Sequence, residues 1–137
     1  MSRLKNFVFV LLAFSAVFGK GLNANANYIK TNFQIQYEDN LKSHALEKWN
    51  TDYSMVVYEI NKQADAIFHL VKKFESQHTA IAFQAIQKWS IDSYKNENVK
   101  LFQEISTFGI EELLKMHCDW TMVEYEYDKQ VEAKNSF

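Results

Sequence analysis

Proline is missing from this chain, and only three glycines occur in 137 residues. Two of them, Gly19 and Gly21, lie near the N-terminus, which leaves Gly109 as the one glycine of the remaining sequence. Sheets built from many short strands need glycine and proline at their turns. Their lack favours helices joined by short polar links. The composition therefore predicts an all-α fold, a small single-domain bundle of four to six helices.

A second constraint comes from internal likeness. Residues 48–66 (KWNTDYSMVVYEINKQADA) and 115–133 (KMHCDWTMVEYEYDKQVEA) align without a gap, with nine identities in nineteen positions. Random placement would give roughly one, since each residue type is a small share of an average chain. A partial third copy lies between: Ala45-Leu46-Glu47-Lys48-Trp49-x-x-Asp52 recurs as Ala85-Ile86-Gln87-Lys88-Trp89-x-x-Asp92 across 85–92. The starts are 40 and 27 residues apart. Regular solenoids keep a fixed period, so the spacing predicts a bundle containing a duplicated helical unit.

The first copy has helical periodicity. Tyr53, Val57, Ile60, Ala64, Ile67, Phe68, Val71 and Phe74 recur at steps of three and four. Thr51 or Asp52 can cap its start, and Lys72 and Lys73 suit its last turn, so a helix is expected over about 52–75. In the second copy Val123, Tyr125 and Tyr127 alternate with acids, a strand-like rhythm. Kinship with the first copy predicts helix over 119–133 instead. Residues 32–38 show the same conflict, and an α+β fold with a short β-pair between the termini is the alternative. Further helices are expected at about 28–49, 78–89, 93–107 and 110–117, with a break at Thr107 to Gly109.

Residues 1–26 have the layout of an export signal. Arg3 and Lys5 precede an uncharged run, Phe7 to Phe18, and Ala24-Asn25-Ala26 forms a small-x-small cleavage pattern. Val17-Phe18-Gly19 is a second candidate cut. The run is about twelve residues, short of the roughly twenty a membrane-spanning helix needs, although a retained anchor or a buried helix would read similarly. The expected division is a signal at 1–26 and one domain at 27–137, secreted or periplasmic, with no stable membrane span once the signal is removed.

Without the signal, twelve lysines face seventeen acids and no arginine remains, a formal charge of −5. That excludes a basic footprint for nucleic acid or anionic lipid. The single cysteine, Cys118, excludes a disulfide-stapled scaffold. It reads as an apolar filler, a free thiol or an intermolecular bridge.

Asp52, Val56, Glu59 and Gln63 share a helix stripe, with Trp49 just before it, and Asp119, Val123, Glu126 and Gln130 repeat it. Facing stripes would bring Glu59 and Glu126 together as a carboxylate pair for acid–base work or metal binding. Capping by Asp and helix–helix contacts by Glu and Gln account for the same stripe without chemistry, and that reading is preferred. A di-metal bundle needs two Glu-x-x-His pairs, and only Glu75/His78 is present; His44, His69 and His117 show no metal spacing. No cofactor, metal or catalytic residue is expected. The expected function is a non-enzymatic binding module for another protein, with contacts drawn from Trp49, Asp52, Glu59, Gln63, Asp119, Trp120, Glu126 and Gln130. A carboxylate enzyme or metal-binding protein is the alternative.

Overall fold

The structure is a computed structural model that describes residues 21–137. The elements are α1 (Ala24–Asn32), α2 (Gln34–Gln36), a π-helical segment (Tyr37–Lys42), α3 (Ser43–Trp49), α4 (Tyr53–Lys73), α5 (Thr79–Lys88), α6 (Lys95–Glu104), α7 (Ile110–Leu114) and α8 (Trp120–Asn135). Single 3₁₀ turns at Ser76–His78 and Asp92–Tyr94 lead into α5 and α6. Among the described residues there is no strand, only an isolated antiparallel bridge between Ser90 and Cys118. The all-α expectation holds, and the terminal β-pair does not form.

Both strand-like stretches are helical. Residues 122–128 lie inside α8, and 32–38 run from the end of α1 into the π-helical segment. The single helix expected over 28–49 is broken at Phe33, whose backbone (φ −135°, ψ 54°) leaves the helical region while its N–H still closes on the Ile29 carbonyl at 2.8 Å. From Gln34 to Trp49 the chain is one rod with a widened turn. That turn presents Asn40 inward, 2 % exposed, where its Nδ2 donates to the carbonyls of Leu114 (2.9 Å) and Met116 (2.8 Å).

Asp52 and Asp119 begin α4 and α8 in the same way. Each side chain accepts from the backbone N–H three residues on, Met55 and Met122, as a helix N-cap should. The chain reaches Asp52 from α3 through Asn50, which sits at φ 52° and turns the backbone sharply. Asparagine is among the few side chains that tolerate this region.

Helix α4 is the central rod, packed against α1, α3 and α8, while α8 also packs on α5. Gln63 meets Asp119 and Thr121, His69 meets Glu124, and Lys73 meets Asp128. The numbers rise together, so α4 and α8 run parallel. Helix α1 joins the same row, with Asn23 bonded to Asn61 and Asp65 and Tyr28 edge-on to Phe68. The core between these rods and α5–α7 is built of aliphatic and aromatic side chains, with Trp120, Ile67, Ile86 and Leu113 fully enclosed. The inward face of α4 keeps most of the expected stripe, with Ile60, Ala64 and Ile67 in the core and Phe68, Val71 and Phe74 packed against it, but it does not begin at Tyr53 and it widens to take in polar side chains. Tyr53 is 66 % exposed, whereas Glu59 and Gln63 are buried beside Val56, Ile60 and Ala64. Helix packing takes the polar stripe inside because each of its groups finds a partner there.

Candidate functional site

Glu59 is 4 % exposed, and both its oxygens are engaged. Oε1 takes the Lys48 Nζ at 2.8 Å and the Trp49 indole N–H at 3.2 Å; Oε2 accepts from Gln63 Nε2 at 2.9 Å, with Lys62 Nζ 3.5 Å away. Burial pushes this carboxyl up, but the hydrogen bonds from Lys48, Gln63 and Trp49 and the charge of Lys62 outweigh it and hold the group at about 2. Gln63 also donates to Asp119 Oδ1 at 2.9 Å and accepts the Trp120 backbone N–H. One amide thus ties the Glu59 cluster to the start of α8.

A matching cluster surrounds Glu126. Lys88 Nζ lies 2.6 Å from Oε1 and Lys129 Nζ 3.3 Å from Oε2. The Lys88 hydrogen bond, followed by contacts from Lys129 and Gln130, lowers this carboxyl below its usual range despite burial. The other details also recur. Lys48 stands over Trp49 and Lys88 over Trp89, at 5.6 and 5.9 Å; Lys62 stands over Tyr58 and Lys129 over Tyr125, at 5.7 and 5.8 Å. The Asp52 N–H bonds the Trp49 carbonyl (3.0 Å), and the Asp119 N–H bonds the Trp89 carbonyl (2.9 Å). The lysine that meets Glu126 as Lys48 meets Glu59 is Lys88, not Lys115, which continuous alignment pairs with Lys48. Lys115 is an exposed residue closing α7. In the second cluster the Trp89 indole N–H and Glu126 Oε2 are buried without a hydrogen-bond partner, so the match ends there.

Glu59 and Glu126 do not form a pair. Because α4 and α8 run parallel and staggered, the two carboxylates fall at different heights, and each is neutralised by its own lysines. The structure instead joins Glu59, Gln63 and Asp119 with Trp49 and the buried Trp120, and it leaves Asp52, Glu126 and Gln130 outside that group.

The Glu59–Asp119 group forms one wall of a cleft of about 430 Å³. Leu41, Ala45, Ile91 and Cys118 supply its apolar surface; Asn40, His44, Glu47 and Lys48 complete its polar edge. His44 Nε2 lies 2.7 Å from His117 Nδ1, so one ring donates to the other, and Tyr94 stacks on His117 at 3.8 Å. Burial lowers His44, and burial followed by the neighbouring His44 takes His117 down to about 4. Both rings are neutral at pH 7. Asn98, fully enclosed, locks the loop behind them: its Oδ1 accepts the His117 N–H (2.9 Å) and its Nδ2 donates to the His117 carbonyl (2.8 Å).

The reactive readings lose ground here. Cys118 is buried, and burial raises its thiol to about 12, so no thiolate forms near neutral pH. It fills space, as the first of its three readings supposed. His78 lies 3.8 Å from Glu75 without a hydrogen bond on its Nδ1. Among the described residues no three His, Cys, Asp or Glu side chains come close enough to hold a metal ion. No helix among them is long and apolar enough to cross a membrane.

Asn40, Tyr94 and Asn98 were not singled out from the sequence, where His44 figures only as a metal-ligand candidate without metal spacing and Lys88 only within the partial repeat. Lys88 alone had a signal, the recurring Lys-Trp pair. Compared with protein-family models, curated proteins and solved structures, the chain matches none.

Proposed function

We propose that this is an exported, non-enzymatic binding module, built on a duplicated helical unit, whose cleft receives a segment of a partner protein. The observation that carries this reading is the cleft: a concave, largely apolar space edged by a few converging polar groups, within the size range of binding pockets. Its walls are suited to holding rather than reacting. At neutral pH Glu59 is ionised with its oxygens occupied, the imidazoles are neutral and bonded to each other, and the thiol is protonated.

The charge balance selects the occupant. Glu47, Glu59 and Asp119 outnumber Lys48 along the wall. A segment with an apolar side chain beside a lysine or arginine complements both the floor and the edge. Arrayed peptides that pair an apolar with a basic residue should bind, and their glutamate-containing counterparts should not. Glu47 is a suitable edge probe because its side chain is 82 % exposed and its loss does not threaten the fold. Glu47→Lys should weaken capture about three- to tenfold, mostly through the association rate. Preference for acidic peptides, or indifference to Glu47→Lys, overturns the assignment; stoichiometric metal uptake would favour carboxylate chemistry in its place.

Export rests on the layout of residues 1–26, of which 1–20 lie outside the described residues. The cut after Ala26 would be damaging. Asn23 caps α1 through its side chain and bonds Asn61 and Asp65, Asn25 bonds Asp65, and Ala26 is fully enclosed. Cleavage after Gly19 spares all of these. Mass spectrometry of the released protein should find Lys20 as its first residue, and a chain starting at Asn27 would refute that placement.

A further inference from the structure

We infer that this protein associates head to tail with further copies of itself, the last two turns of α8 in one copy packing on the first two turns of α4 in the next. The internal contact between α4 and α8 is the template. On α4 it uses Gln63, which bonds Asp119, and on the same side of the helix Ala66 and Leu70 are buried, each 2 % exposed. The same register places in the second copy hold Gln130 and Ala133 on α8 and Phe137, which lies just past the helix end. The glutamine and alanine are kept, yet Ala133 is exposed and Phe137 fully so. Nothing among the described residues lies against this stripe in the way α8 lies against α4.

The complementary surface is open as well. The start of α8 that docks on α4 comprises Asp119, Trp120 and Thr121; the matching start of α4 comprises Asp52, Tyr53 and Ser54. All three are exposed, Tyr53 by 66 %. Helix α1 takes the neighbouring place on α4 only from Asn61 onward, where Asn23 N–H bonds Asn61 Oδ1 at 2.9 Å and Asn61 Nδ2 reaches the Gly21 carbonyl at 3.2 Å. Among the described residues, nothing takes that place on the two turns of α4 before it, a length that Gln130 to Phe137 can cover. The occupant is a second copy because the interface continues the row α1, α4, α8 with the residues that already build it. The contact joins two different surfaces, so it propagates along an axis and does not close into a symmetric pair. The inference rests on this row and is independent of what enters the cleft.

Two exposed positions allow a test that leaves the fold intact. Ala133→Lys spoils the stripe on α8, and Tyr53→Lys spoils the surface on α4. In sedimentation across a concentration series, the protein recovered from its native source should grow in mass beyond a dimer. Each variant alone, with its circular dichroism and melting unchanged, should associate about tenfold more weakly or worse. An equimolar mixture of the two variants should stop at a one-to-one pair, because each lends its intact surface to the other. A wild-type chain that stays monomeric to millimolar concentration overturns the inference, whether the surface never pairs or an N-terminal segment covers it. So does a symmetric dimer, or assembly that both variants leave unchanged.

Discussion

Acidification from pH 5 to pH 2 will remove roughly 3 kcal/mol of stability through Glu59 alone, by the linkage between a shifted titration and folding. The sign follows from the direction of the shift. The folded-state value, about 2, lies below the ordinary 4.5, so the unfolded chain takes up a proton that the native protein refuses. The contribution is fully present above pH 4.5 and disappears as pH falls through the folded value. Glu59→Gln keeps the shape and a hydrogen-bonding head but loses the charge that Lys48 and Lys62 hold. Urea unfolding should show the variant weaker by about this amount at pH 7, with its curve converging on the wild-type curve near pH 2. Parallel curves would mean that the ionised carboxylate contributes nothing to the fold. The effect belongs to one buried group, since Glu59 is 4 % exposed, and other carboxylates cancel in the comparison.

Trp120→Ala should cost about 3–5 kcal/mol, the range for deleting a large aromatic from a packed interior. At about 4 °C per kcal/mol for a domain of this size, melting falls by on the order of 15 °C. Trp120 is fully enclosed at the point where Gln63 receives its backbone N–H, so the cavity opens at the root of α8. Two companions make the measurement specific. Trp120→Phe should be much milder, because the indole N–H is buried without a partner and its removal breaks no hydrogen bond. Tyr53→Ala, at the matching place of the first copy, should stay within about 0.5 kcal/mol, as exposed substitutions do. Equal losses at Trp120 and Tyr53 would contradict the packing described.

These contrasts show what local pattern can carry. The scarcity of glycine and proline was enough to predict helices, and the capping aspartates Asp52 and Asp119 marked two helix starts within a residue. Periodicity failed at Phe33 because a break there depends on one backbone conformation that no composition rule signals. It also misplaced Tyr53, since Glu59 and Gln63 supply the buried face only after Lys48, Trp49 and Asp119 arrive from elsewhere. The stripe residues were legible as a group, but their pairing was not. Whether Glu59 meets Glu126 depends on the parallel stagger of two helices separated by more than forty residues, which neither segment encodes alone. Asn40 was invisible, and His44 was seen only as a ligand without metal spacing, because their roles come from the loop around Met116 and His117, brought up by tertiary packing.

The junction at Trp89 and Asp119 has a practical consequence. There the chain departs and returns through two adjacent rungs, the Asp119 N–H to the Trp89 carbonyl and the Ile91 N–H to the His117 carbonyl at 3.0 Å. The mouth of the excursion between them is fastened independently of its far bend near Ser106 and Thr107, which is exposed. Lengthening a fastened excursion raises its closure entropy only slowly, by about 0.6 kcal/mol per doubling. That bend is therefore where foreign sequence, such as an epitope or a fluorescent reporter, can be grafted while the helical row keeps its spacing.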